Sequence, residues 1–148
     1  MIYNLAADMG GMGFIELNKG LCMLTVLINT HMLMAARDHG VKQFFYASSA
    51  CVYNGEKQTG SDNPGLKEAD AYPAMPEDGY GWEKLFSERM CRHFTEDFGL
   101  ITRVARYHNV YGPRMPQGSP YAGVASIFRE DELILEAQQV AMNERPDH

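Results

Sequence analysis

The run Phe44-Phe45-Tyr46-Ala47 is apolar at every position and is bounded by turn-forming sequence. A strand with one wet face alternates apolar and polar residues. A continuous run suits a strand buried on both faces, as in a parallel sheet covered by helices. The rest of the chain fits that frame. Residues 2–7 form a second short apolar run and residues 100–105 a third. Between them lie two stretches of helical period. In Asn18 to His39 the positions Leu21, Leu24, Leu27/Ile28, Met32 and Ala35/Ala36 recur, and in Tyr80 to Phe98 the positions Leu85, Phe86, Met90, Phe94 and Phe98. Gly40 and Gly99 stand where a left-handed residue closes a helix. A long loop rich in Gly, Asn, Asp and Pro spans 49–78, and residues 124–148 read as one amphipathic helix. The order β-α-β-loop-α-β-tail predicts an α/β chain with right-handed crossovers, part of a doubly wound parallel sheet.

Ligands of such sheets bind beyond the carboxyl ends of the strands. The segments expected there are Asp8–Gly13, Ser49–Tyr53 and Tyr107–Pro113, all unusual in composition. The net charge of −6, with acids and bases mixed, supplies no basic surface for nucleic acid. No run of 18 uninterrupted apolar residues occurs, so no membrane span is expected. The start, Met1 to Ala7, has no basic region and does not read as a signal peptide. Cys22, Cys51 and Cys91 form neither a disulfide framework nor a zinc pattern; Cys22 and Cys91 read as structural. The histidines lack metal-ligand spacing, so no metal site is expected. The compartment expected is the cytoplasm.

Two constellations carry chemistry. Tyr80 and Lys84 lie one helical turn apart, on one face. An ammonium beside a phenol favours the phenolate, which can then act as a general base. Ser48-Ser49-Ala50-Cys51 ends the buried strand about 30 residues earlier, where a hydroxyl can hold a substrate oxygen near the tyrosine. Trp82, two residues after Tyr80, is expected to report by fluorescence on a cofactor docked there.

Together with Arg106-Tyr107-His108-Asn109-Val110-Tyr111-Gly112-Pro113, these motifs resemble the extended short-chain dehydrogenase/reductase family, which includes sugar-nucleotide epimerases and dehydratases. Residues 4–15, 44–53 and 66–74 are very similar to members that epimerise a GDP-mannose-like nucleotide sugar, and the likeness covers about residues 3–113. The resemblance implies a Rossmann-like fold and NAD as cofactor, with Tyr80, Lys84, Ala6 and Ala7 beside it. It implies Ser49, Tyr80, Lys84 and Cys51 as catalytic residues, and Gly10, Ser49, Ala50, Cys51 and Asn109 as substrate contacts. Tyr80 would take a proton from the sugar C4 hydroxyl while hydride passes to NAD. Cys51 would exchange protons at the carbons that the new carbonyl acidifies, and hydride return would close the cycle. A homodimer through the Tyr80 helix is also implied.

The chain departs from the family pattern in two places. No G-x-x-G-x-x-G follows a first strand, so residues 1–113 read as the C-terminal part of a Rossmann-like domain, lacking the N-terminal β-α-β half that grips the dinucleotide phosphates. Residues 114–148 read as the start of a substrate region and its helical tail, most of the substrate domain being absent. No lysine follows Lys84, so this stretch does not supply the opposing base of a two-base epimerisation. The alternatives are another nucleotide-sugar 4-epimerase or 4,6-dehydratase, or an inactive truncated fragment.

Overall fold

The computed structural model describes residues 1–59, 65–108 and 110. The chain divides into two units, Met1–His108 and Asn109–His148, and the account below concerns the first. Asn109 and the tail 114–148, with the helix expected over 124–148, lie outside the described residues.

Three parallel strands, β1 (Ile2–Asn4), β2 (Gln43–Ser49) and β3 (Ile101–Tyr107), form a sheet in the order β1-β2-β3. Ile2 pairs with Phe44 and Asn4 with Tyr46 on one side; Gln43 through Ser49 pair with Ile101 through Tyr107 on the other. Helix α2 (Lys19–Asp38) connects β1 to β2, and α3 (Asp78–Phe98) connects β2 to β3. A short helix, α1 (Met12–Leu17), occupies part of the expected glycine-rich loop. Three single turns of 3-10 helix, Ala50–Val52, Gly55–Gln58 and Glu68–Ala71, give the long loop its shape. Gly40 (φ +62°) and Gly99 (φ +69°) take the left-handed conformation at the ends of α2 and α3.

The core joins Leu33 and Ala36 of α2, Phe44 and Tyr46 of β2, Cys91 of α3, and Leu100. Burying each large apolar side chain there contributes about 2 kcal/mol. The described helices pack on one face of the sheet. On the other, Tyr3 and Leu5 are exposed and Phe45 is half-buried.

The apolar periodicity places Met32 and Ala36 of α2 and Leu85, Met90 and Phe94 of α3 correctly against the core, and mislocates the rest. On α2 the buried residues are Cys22, Thr25, Asn29, Leu33 and Ala36, while Leu21, Leu24, Leu27 and Ile28 are exposed. On α3 the buried residues include Tyr80, Glu83, Lys84, Leu85, Ser87 and Cys91, while Phe86 and Phe98 are half exposed. Where the two helices meet, Asn29 hydrogen-bonds Glu83 and Ser87 between apolar contacts on either side. Helix α2 is also long and apolar enough to cross a membrane by length and composition, a property the search for an uninterrupted apolar run missed. One of its faces packs against β1 and α3, with Asn29 and Thr25 buried.

Candidate active site

The site forms at the carboxyl ends of β1 and β2, where the first turns of α3 arrive. Gly79 lets the start of α3 touch the start of α2, since a Cβ there would lie 2.6 Å from the Lys19 carbonyl. Lys19 Nζ also bridges to Asp78 at 2.7 Å. Gly81 lies against the Cys51 backbone, and the Glu77 amide donates to the Cys51 carbonyl at 2.9 Å. These contacts bring Tyr80 into one buried cluster with Cys22 and Ile15, against which Cys51 packs.

Of the two serines ending β2, only one is free for a ligand. Ser48 faces α3, is buried, and donates to Glu88 Oε1 at 2.5 Å. Ser49 is half-buried, and its hydroxyl accepts from the Cys51 amide at 3.3 Å. That Asx-like turn caps the 3-10 turn carrying Ala50 and Cys51, and so fixes the direction of both.

Tyr80 donates its hydroxyl to the Met9 thioether at 3.3 Å. Burial pushes its phenol up to about 12, with the neighbouring Ser49 hydroxyl working in the opposite direction. Lys84 is 3% exposed; its ammonium donates to the Ala47 carbonyl at 2.9 Å and lies 4.9 Å from the Tyr46 ring centroid and 5.5 Å from that of Tyr80. Burial lowers its pKa, partly offset by Glu83. Burial likewise raises the Cys51 thiol; the Ser49 hydroxyl opposes that shift and the Glu77 charge adds to it. A thiol held protonated suits a proton donor.

Ala6 is exposed and Ala7 half-buried, in the stretch after β1, whose Asp8 amide donates to Thr25 Oγ1 at 3.2 Å. Gly10 is buried, and its close neighbour is internal: a Cβ there would lie 2.6 Å from Phe14 Cβ. Packing of α1 explains that glycine without a ligand. Trp82 points away from the site and lines an outer groove with Met23, Val26 and Phe86, because residues two apart on a helix lie on opposite sides.

Sequence reasoning missed three participants. Met9 caps the tyrosine. Glu83 is buried beside Lys84, and its spacing of three from Tyr80 was the available signal. Arg106 makes a two-pronged ion pair with Glu88, at 2.9 and 2.7 Å, donates to the Glu68 carbonyl at 2.7 Å and lies 4.9 Å over the Tyr53 ring. It thereby ties β3 to α3 and to the loop above the site.

The residues present suit the nicotinamide-ribose end of a dinucleotide. Lys84 has two ammonium hydrogens beyond the one given to Ala47, next to a tyrosine hydroxyl whose present acceptor is a weak one. No glycine cradle for phosphates occurs among the described residues.

Residues 1–142 match the profile of the NAD dependent epimerase/dehydratase family. GDP-mannose 3,5-epimerase of Arabidopsis thaliana is 53% identical over 113 residues, which is 76% of this chain and 30% of that protein. GDP-mannose 3,5-epimerase 1 of Oryza sativa subsp. indica is 57% identical over the same shares. Among solved structures, UDP-N-acetylglucosamine 4-epimerase from Methanobrevibacter ruminantium M1, in complex with UDP-N-acetylmuramic acid, superposes with a TM-score of 0.70 at 27% identity. The match covers 88% of this chain and 40% of that one. The chain spans under a third of the length of the curated relatives named here.

Proposed function

The chain belongs to the NAD dependent epimerase/dehydratase family, and from that premise we propose that it carries the substrate-activating part of an epimerase for a GDP-mannose-like nucleotide sugar. The observation that carries this reading is the convergence of Ser49, Cys51 and Tyr80 at one strand end, with Lys84 buried one turn away. Identity above 50% to proteins named GDP-mannose 3,5-epimerase supports the choice of sugar.

NAD, when bound, supplies the hydride acceptor and donor. Tyr80 and Lys84 would hold its ribose end, with Ala6 and Ala7 alongside. Tyr80 would exchange Met9 for a sugar hydroxyl and move that proton, Ser49 would hold the same oxygen, and the buried Lys84 ammonium would supply the positive field that a phenolate needs. Cys51 would deliver a proton to carbon next to a sugar carbonyl. Gly10 and Ala50 would shape the walls of the sugar pocket, and Asn109 would extend the substrate contacts. Three free cysteines support the cytoplasm as compartment. The exposed apolar face of α2 and α3, with Leu24, Leu27, Trp82 and Phe86, supports a homodimer through the Tyr80 helix. The 27% identity to a UDP-sugar 4-epimerase favours, as second reading, a 4-epimerase in which Cys51 is incidental.

The test is calorimetric titration of the 148-residue chain with NAD, followed by incubation with GDP-mannose in deuterated water. Deuterium appearing at C3 or C5, and lost in Cys51→Ser, is expected. Epimerisation at C4 without exchange would establish the second reading. Absence of NAD binding in a folded sample would overturn both.

A further inference from the structure

Glu83 stands three residues after Tyr80 and one before Lys84, and it is 2% exposed. Its Oε1 accepts from Asn29 Nδ2 at 2.5 Å and from Ser87 Oγ at 2.7 Å. Its Oε2 is sealed from solvent and meets no hydrogen-bond partner among the described residues. Asn29 Nδ2 also reaches the Tyr46 hydroxyl at 3.2 Å. Asn29 Oδ1 accepts from Asn4 Nδ2 at 2.7 Å, and Asn4 Oδ1 accepts from the Ala6 amide at 3.4 Å. One continuous chain of contacts thus runs from the helix of Tyr80 and Lys84, through α2 and the end of β1, to the rim.

We propose that Glu83 is a positioning residue that works as an uncharged carboxylic acid, tying α3 through Asn29 and Asn4 to the Ala6–Asp8 stretch. An ionised carboxylate with one bare oxygen in a dry seam carries a large desolvation cost, and a neutral acid carries far less. The titratable groups around it are Cys22 from α2, Tyr46 from β2, and Tyr80 and Lys84 from α3; β1 contributes only the neutral Asn4. Lys84 is the single cation in that set, and its ammonium is directed at the Ala47 carbonyl. Burial pushes the Glu83 carboxyl above its ordinary range; the Ser87 hydroxyl, the Lys84 charge, the Asn29 amide and the Tyr46 hydroxyl oppose this. The inference deepens the epimerase reading, yet its test needs no turnover, so the two stand or fall separately.

The folded chain keeps this proton at pH values where the unfolded chain has released it. Stability is therefore fully present below the ordinary glutamate value of 4.5 and is lost as pH rises toward the folded value. Thermal unfolding of the wild-type chain and of Glu83→Gln is compared across that window. The Gln variant, which cannot ionise, is expected to gain on the wild type as pH rises, and its Ala6–Asp8 amide resonances are expected to overlay those of the wild type. Glu83→Ala is expected to shift those resonances. A Tm difference that ignores pH, or a Glu83 carboxyl carbon that titrates at the ordinary value, would overturn the uncharged acid. Rim amides unmoved in Glu83→Ala would overturn the tie. If the Ala variant does not fold, the carboxyl titration and the Gln comparison decide.

Discussion

Gly81 meets the carbonyl of Cys51 so closely that a methyl group on its Cα would overlap that oxygen and come within 3.2 Å of Pro76 Cβ. Both obstacles are backbone or ring atoms with little room to yield. Gly81→Ala is therefore expected to cost about 1–3 kcal/mol, as overpacking does. It should also loosen the 3-10 turn that carries Cys51. The denaturation midpoint checks the first part, and faster reaction of Cys51 with a thiol reagent checks the second.

The ion pair of Arg106 with Glu88 is 15% and 10% exposed. Removing one partner strands a partly dry charge, and Arg106→Met is expected to destabilise the fold by about 3 kcal/mol. The loss should persist at high salt, because water and counterions reach the pair poorly. Urea unfolding of both chains at low and high ionic strength measures it.

The sequence reading recovered the element order and the register of chemistry along it, because strands, turns and the Tyr80–Lys84 spacing are local signals. It failed along the first half of α2, where the buried side is polar. Leu21, Leu24 and Leu27 mark an apolar stripe on α2 that the fold leaves outside, while Thr25 and Asn29 go in because Asp8, Asn4 and Glu83 wait for them. Partners that lie 17, 25 and 54 residues away in sequence leave no periodic trace. The same limit put Trp82 beside the site when it lines an outer groove, and gave no sign that Phe14 packs on Gly10.

Tyr80 offers a test in alkali. Its phenol is raised from 10.0 to about 12 in the folded chain, so it contributes stability below pH 10 that is lost as pH rises through the folded value. Tyr80→Phe has no such group. The variant is expected to fall less steeply in urea midpoint than the wild type between those pH values, and to lack the one phenolate that appears near pH 12, Tyr46 being held still higher by burial.

The outer face of α2 and α3 predicts an oligomer that a single charge breaks. Leu27 is 53% and Phe86 55% exposed, so Leu27→Glu or Phe86→Glu should leave the fold intact. Either is expected to turn a dimer into a monomer in sedimentation velocity, with far-ultraviolet circular dichroism unchanged.

The polar contacts between α2 and α3 also bear on how this sequence can drift over generations. Aliphatic residues that meet an apolar surface exchange for one another at small cost when volume is kept. Thr25, Asn29, Glu83 and Ser87 satisfy donors and acceptors at fixed distances, where a lost partner strands a buried polar group. Neutral substitutions should therefore collect on the apolar outside of α2, while the polar contacts between α2 and α3 stay frozen. In a set of diverged copies, the invariant positions where these two helices hydrogen-bond would be hydrophilic.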